Sequence, residues 1–172
     1  KTVNNFFNLK NIKSIKNFKN NTDVICASNV ICHIPDLKNL ILTINELLTK
    51  KGVFIFEEPY MGSMFDKISY DQIYDEHIFM FSISSVKKIA ELYNFELIDI
   101  LPQYTHGGSM RYIVGRKNQH SINNRVNEGL SVEIKKNLDN LQSCLKFKKN
   151  CEKSKEKLIN NLKKIKSDGK QI

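Results

Sequence analysis

The sequence predicts an α/β fold, and three patterns carry that prediction. Thr22–Ser28 and residues 53–57 are short, continuous apolar runs, as expected of strands buried on both faces of a parallel sheet. Between them, Leu37, Leu40, Ile41, Ile44, Leu47 and Leu48 keep the 3.6-residue period of an amphipathic helix. Strand, helix and strand in that order require a parallel crossover, right-handed by rule. Farther on, residues 95–101 and 110–114 read as strands separated by a short stretch with two glycines. That spacing predicts an antiparallel hairpin closing the sheet.

Taken in order, residues 2–7 read as a short strand and residues 8–19 as a lysine-rich helix. Ile12, Ile15 and Phe18 would turn its apolar side to a core. The first buried strand ends in Ser28 and Asn29. Ligands of open α/β sheets bind outside the carboxyl ends of strands, so Ala27, Ser28 and Asn29 form a natural cofactor edge. Pro35 suits the first turn of the following helix, and Asp36 complements its dipole. Lys50, Lys51 and a capping Gly52 are expected to end it. Glu57, Glu58 and Pro59 close the second strand, and a loop with Gly62 follows. Residues 84–94 form a second helix, with Val86, Ile89, Ala90, Leu92 and Tyr93 on its apolar side. Beyond Arg116 the strand signal stops. Leu138, Leu141, Leu145, Leu158, Leu162 and Ile165 then mark one or two amphipathic helices. The expected organisation is a partial α/β domain over residues 1–117 and a helical connecting segment over 118–168. Residues 169–172 would open a missing carboxyl-terminal α/β domain.

At 172 residues, 41% of them apolar, the chain holds enough material for one cored domain and an appendage. No segment reaches the apolar length of a membrane span, and no opening stretch reads as a signal peptide. The four cysteines lack the paired short spacings of a zinc site; Cys26 and Cys32, in an apolar stretch, are expected to be buried thiols. A reducing, cytoplasmic setting follows as the expectation. The net charge of +9 comes from lysines near both ends, while the middle is close to balanced. Without aromatic residues interleaved in a basic groove, neither nucleic acid nor membrane is an expected partner.

Chemistry concentrates in residues 70–85, where Tyr74, Asp75, Glu76 and His77 stand side by side ahead of an apolar run. Histidine exchanges protons near neutral pH, a neighbouring carboxylate orients it, and a tyrosine hydroxyl can donate to a developing oxyanion. Two more polar clusters lie at residues 29–36 and 106–111. Read singly, each has a plainer explanation. His33 would pack at a helix start, Asn29 would satisfy a strand-end backbone group, and His106-Gly107-Gly108 would be a tight turn whose glycines supply positive φ.

The order and spacing of the motifs say more. Asn29-Val30-Ile31-Cys32-His33-Ile34-Pro35-Asp36, Glu58-Pro59-Tyr60, Tyr70-Asp71-Gln72-Ile73-Tyr74-Asp75-Glu76-His77, Phe81-Ser82 and His106-Gly107-Gly108-Ser109-Met110-Arg111 follow one another over most of the chain. Together they resemble the sugar C-methyltransferases that act on nucleotide-linked keto-deoxysugars. The fold this implies is the carboxyl-terminal half of a class I, Rossmann-like S-adenosylmethionine methyltransferase sheet. The activity it implies is C-methylation beside a ketone, typically at C3 of a TDP-linked 4-keto sugar, through a base-generated enolate. By the same resemblance His77 is the base, with Glu76 and Tyr74 beside it and His33 as a second active-site histidine. Ala27, Ser28 and Asn29 would meet the cofactor. Glu58, Tyr60, His106, Gly107, Gly108 and Arg111 would meet the nucleotide-sugar.

The chain departs from that family in lacking its amino-terminal zinc-binding cysteines and its Gly-rich cofactor turn. An internal fragment is therefore expected, with weak or no cofactor binding alone, no metal among the residues present, and zinc only in a missing amino-terminal region. Two rival readings stand beside it: an O- or N-methyltransferase of a small molecule, and a non-catalytic basic helical binding module.

Overall fold

The computed structural model describes residues 2–171, with the side chains of Ser14 and Lys16 left out. Its centre is a four-stranded sheet in the order β1-β2-β4-β3, formed by β1 (Thr22–Ser28), β2 (Leu48–Pro59), β3 (Phe95–Gln103) and β4 (Ser109–Arg116). β1 and β2 are parallel, joined through α1 (Leu37–Leu47), and β4 inserts antiparallel between β2 and β3. The crossover and hairpin that the sequence patterns call for are both present. The fold is mixed α/β, with added helices. Because β4 runs backwards, its first residue Ser109 pairs with Pro59, the last of β2. The turn between β3 and β4 therefore lies at the same sheet edge as the carboxyl ends of β1 and β2.

The core is built on β2 and β4. Phe54, Phe56, Tyr112 and Val114 are buried against Leu40 and Ile44 of α1 and against Val86 and Ala90 of α3 (Ile83–Leu92). Phe56 stacks on Tyr112 with ring centroids 5.0 Å apart. Each such side chain withdrawn from water contributes about 1.5–3 kcal/mol. Asp36 caps α1 by accepting from Asn39 N, and Ser82 and Ser85 close a reciprocal capping box on α3.

Several expectations fail for identifiable reasons. Residues 2–7 form no strand, and Phe6 is 86% exposed: no sheet edge among the described residues takes up their backbone groups. The lysine-rich helix is a 3-10 run, Leu9–Phe18, broken at Ile15, and Phe18 faces solvent. β1 is an edge strand with Val24 and Cys26 exposed, so neither the two-faced burial nor the buried Cys26 thiol holds; Cys32 is buried. Gly52 caps nothing. β2 begins directly after α1, and Arg116 takes the cap role by donating to Asn45 O and Leu48 O at 2.7 and 2.9 Å. The Gly62 loop is the short helix α2 (Met61–Lys67), and Leu92 at the end of α3 is exposed.

The helical segment resolves into α4 (Asn124–Lys136) and α5 (Leu141–Ser167). α4 packs Val126 and Leu130 on the core, whereas α5 buries only Phe147, which stacks on Phe65 at 4.5 Å. Leu141, Leu145, Leu158 and Ile165 on α5 are exposed. Residues 169–171 form no strand, and Ile172, where the further strand was expected to open, lies outside the described residues. No helix among the described residues is long and apolar enough to cross a membrane.

Candidate active site

Two polar groups meet at the edge where β1 and β2 end. In the first, Asn29 leaves β1 in a left-handed conformation at φ 53° and donates its N–H to Glu57 O at 2.9 Å. Its Nδ2 lies 3.3 Å from Ser28 Oγ and 3.2 Å from His106 Nε2, while its Oδ1 is buried without a partner. The Glu57 carboxylate accepts from Thr105 Oγ1 at 2.8 Å and from Arg111 Nη2 at 2.9 Å. Burial pushes Glu57 upward, but Thr105, Arg111 and the charge of His106 outweigh it and hold its carboxyl below the usual range. The Thr105–Gly107 turn holds His106 at φ 49° and is released through Gly107 and Gly108 at φ 75° and 125°. Such angles are cheap only for glycine, so the plain turn reading of this motif is realised as well.

The second group surrounds the 3-10 turn Ile31–His33. Glu58 has no exposed surface, and its Oε1 accepts from Val30 N and Ile31 N at 3.0 and 2.6 Å, fixing that turn. Cys32 O accepts from Ile78 N and Phe79 N at 3.0 and 3.3 Å, so the Tyr74–His77 segment is carried on the same turn. His77 places Nδ1 2.8 Å from Gln72 O and Nε2 2.9 Å from the Tyr74 hydroxyl. His33 places Nδ1 2.8 Å from Glu76 O, and the two imidazole centroids are 5.0 Å apart. A carbonyl oxygen only accepts, so each Nδ1 carries the proton and each neutral ring presents a lone pair at Nε2. Burial, and then Glu58 beside it, pushes the Cys32 thiol up to about 12.

His77, Tyr74, His33 and the backbone of Glu76 are thus brought together. The partner that orients His77 is the Gln72 carbonyl rather than a carboxylate, and Glu76 contributes its own carbonyl to His33. Ser28 ends β1, and Asn29 follows it beside His106. Tyr60 points elsewhere: its hydroxyl donates to Glu133 Oε1 on α4 at 2.9 Å. Glu133, 4% exposed, also accepts from Ile83 N and Ser84 N at 2.6 and 2.9 Å, capping α3. Sequence reasoning passed over Glu133, Gln72, Glu57 and Thr105. One signal for Glu133 was present, since Val126, Leu130 and Glu133 share a helix face and the acidic residue interrupts an apolar stripe. A backbone carbonyl such as that of Gln72 leaves no such trace.

Residues 1–100 match the family model described as a methyltransferase domain, and residues 104–172 match one described as a C-methyltransferase C-terminal domain. A curated relative, the C-methyltransferase NovU of Streptomyces niveus, is 24% identical over 150 residues, 87% of this chain and 36% of that protein. The chain thus spans about a third of that relative's length. Among solved structures, the PH0226 protein of Pyrococcus horikoshii OT3 is similar with a TM-score of 0.44 at 14% identity, over 58% of this chain and 54% of that one. The magnesium protoporphyrin IX methyltransferase of Synechocystis PCC 6803 gives 0.40 at 15% identity, over 55% and 45%. With the first model matched over more than half of its residues, this chain belongs to the methyltransferase domain family.

Proposed function

We propose that the chain is part of an S-adenosylmethionine-dependent C-methyltransferase acting beside the ketone of a nucleotide-linked keto-deoxysugar, typically at C3 of a TDP-linked 4-keto sugar. One observation carries this reading: Gln72 O fixes the His77 tautomer so that Nε2 offers a lone pair, with the Tyr74 hydroxyl 2.9 Å away. The match of residues 104–172 to a C-methyltransferase domain and the likeness to NovU favour carbon over oxygen or nitrogen as the methyl acceptor. Residues 1–117 are assigned to the methyltransferase part and 118–168 to the helical connection.

The sheet edge suits the cofactor. Asn29 Oδ1 is a buried acceptor lacking a donor at the end of β1, so Ala27, Ser28 and Asn29 would hold S-adenosylmethionine there. The cofactor supplies a methyl group on a sulfonium. His77 Nε2 takes the proton from the carbon next to the ketone, and Tyr74, displaced from His77, donates to the enolate oxygen. Loss of one such donor costs about 3 kcal/mol of barrier. His33 has its only neutral proton engaged by Glu76 O, so it donates toward substrate only when its ring is charged. His106, Gly107, Gly108 and Arg111 are assigned to the nucleotide-sugar. Glu58 and Tyr60 act by positioning, the first through the Ile31–His33 turn and the second through α4.

The test is proton wash-out. With a TDP-linked 4-keto deoxysugar in deuterated water, the proton next to the ketone exchanges, and His77→Asn slows that exchange by about 100-fold or more. Methyl transfer without wash-out would point to oxygen or nitrogen methylation instead. Undiminished wash-out in His77→Asn would remove His77 from the role of base.

A further inference from the structure

At this edge three side chains have the chemistry of metal ligands as well. One potential ligand atom from each of Cys32, His33 and His77 lies within 4.8 Å of the others. Cys32 is 1% exposed, while both imidazoles reach solvent in part, so the cluster has a dry floor and an open mouth. Each imidazole already donates Nδ1–H to a backbone carbonyl, at 2.8 Å in both cases. That is the outer shell by which metal-binding histidines are oriented, leaving Nε2 as the ligand. A second observation points the same way. The fully buried Glu58 carboxylate lies against the Cys32 thiol and has Oε2 without any hydrogen-bond partner. Two amides already serve Oε1, so Oε2 is the end of this buried carboxylate that favours positive charge close by.

We propose that Cys32, His33 and His77 bind a divalent cation of the zinc class, with the remaining position open to solvent. A thiolate with two neutral imidazoles suits a borderline-soft ion of tetrahedral preference better than it suits magnesium or calcium. Bonds of about 2.0–2.3 Å set tetrahedral ligand atoms about 3.3–3.8 Å apart, so the side chains adjust to bring their ligand atoms to that spacing. The Cys32 proton passes to buffer, and Tyr74 gives up its contact with His77 Nε2. The site itself stands without the C-methylation reading. Its consequence rests on that reading: cation and substrate proton compete for the same lone pair, so an occupied site silences the base.

Cobalt(II) titrated into the full chain provides the test, followed by its visible absorption and its thiolate-to-metal charge-transfer band, with zinc as competitor in calorimetry. The expected result is a single ion per chain, displaced by zinc. Cys32→Ser abolishes the charge-transfer band, and His33→Gln weakens binding by more than the roughly 10–100-fold that outer-shell changes cost. Replacing Cys26, Cys144 and Cys151 together by serine leaves the band intact. Far-UV circular dichroism verifies that the variants fold, and the partly exposed His33 provides the reading should Cys32→Ser not fold. Absence of bound cobalt, a band that survives Cys32→Ser, its loss in the triple serine variant, or undiminished affinity in His33→Gln overturns the proposal. His77→Asn separates it from the function above. Wash-out lost with cobalt affinity unchanged removes the metal site and keeps the base, whereas affinity lost with wash-out intact does the reverse.

Discussion

Two backbone carbonyls decide what the imidazoles of His33 and His77 can do. Because Gln72 O and Glu76 O can only accept, the neutral form of each ring is held as the tautomer whose Nε2 is free of hydrogen. The neighbouring carboxylate that the Glu76-His77 pair suggests is not the orienting group. Outside this cluster the buried Glu133 carboxylate takes the Tyr60 hydroxyl and two amides at the start of α3. Glu133→Gln is expected to cost roughly 1.5–3 kcal/mol in urea unfolding, since the buried acceptor of three donors loses its charge. Tyr60→Phe should cost less, because both amides keep their acceptor. A double-mutant cycle in which the two losses simply add would show that the Tyr60–Glu133 bond carries no coupling.

At the level of elements, the fit between α2 and its neighbours runs through one position without a side chain. A Cβ at Gly62 would collide with the ring and hydroxyl of Tyr60, the residue that tethers the end of β2 to α4. Replacing glycine by alanine inside a helix ordinarily stabilises by about 1 kcal/mol. Here the sign should reverse: Gly62→Ala lowers the thermal midpoint because the Tyr60 ring must leave Glu133. A raised midpoint would show that the ring gives way freely. Arg116 works between elements in a comparable way. It closes the end of α1 by donating to Asn45 O and Leu48 O, and it stacks over Phe95 with its guanidinium carbon 5.6 Å from the ring centroid. The sequence assigned that cap to Gly52, the residue nearest in the chain, whereas the fold supplies it from β4.

For the molecule as a whole, two carboxylates tie distant segments together and set its behaviour in acid. Hydrogen bonding from Arg125 holds Asp99 below the ordinary value of 3.8 and joins β3 to α4. Glu57, held below 4.5, joins β2 to the β3–β4 turn. Both have depressed values in the folded state. Their contribution to stability is therefore complete above those ordinary values and is lost as pH falls through the folded ones. In denaturant titrations, the stability gap between the protein and its Asp99→Asn variant should be constant around neutrality and shrink below pH 3.8. A gap that grows in acid would contradict the ion pair's sign. Arg125 is half exposed, so salt should narrow the gap around neutrality, where Asp99 is charged.

Local pattern settled several elements on its own: the periodicity of Leu37 to Leu48, the apolar run of Thr22–Ser28 and the glycines between two strand-like runs are each written within a few residues. It also marked where polar chemistry gathers, in three short clusters of one order. Tertiary structure alone decided which partners those residues keep. Tyr60 meets a carboxylate 73 positions away, Arg116 an α1 carbonyl 71 away, and His33 a carbonyl 43 away. Burial likewise came from neighbours, not from hydropathy: Cys26 and Val24 are apolar yet exposed on an edge strand, while Glu58 and Glu133 are charged yet enclosed. The physical reason is that a residue's own chemistry fixes what it can bond, whereas the sheet order and helix docking fix what it is near.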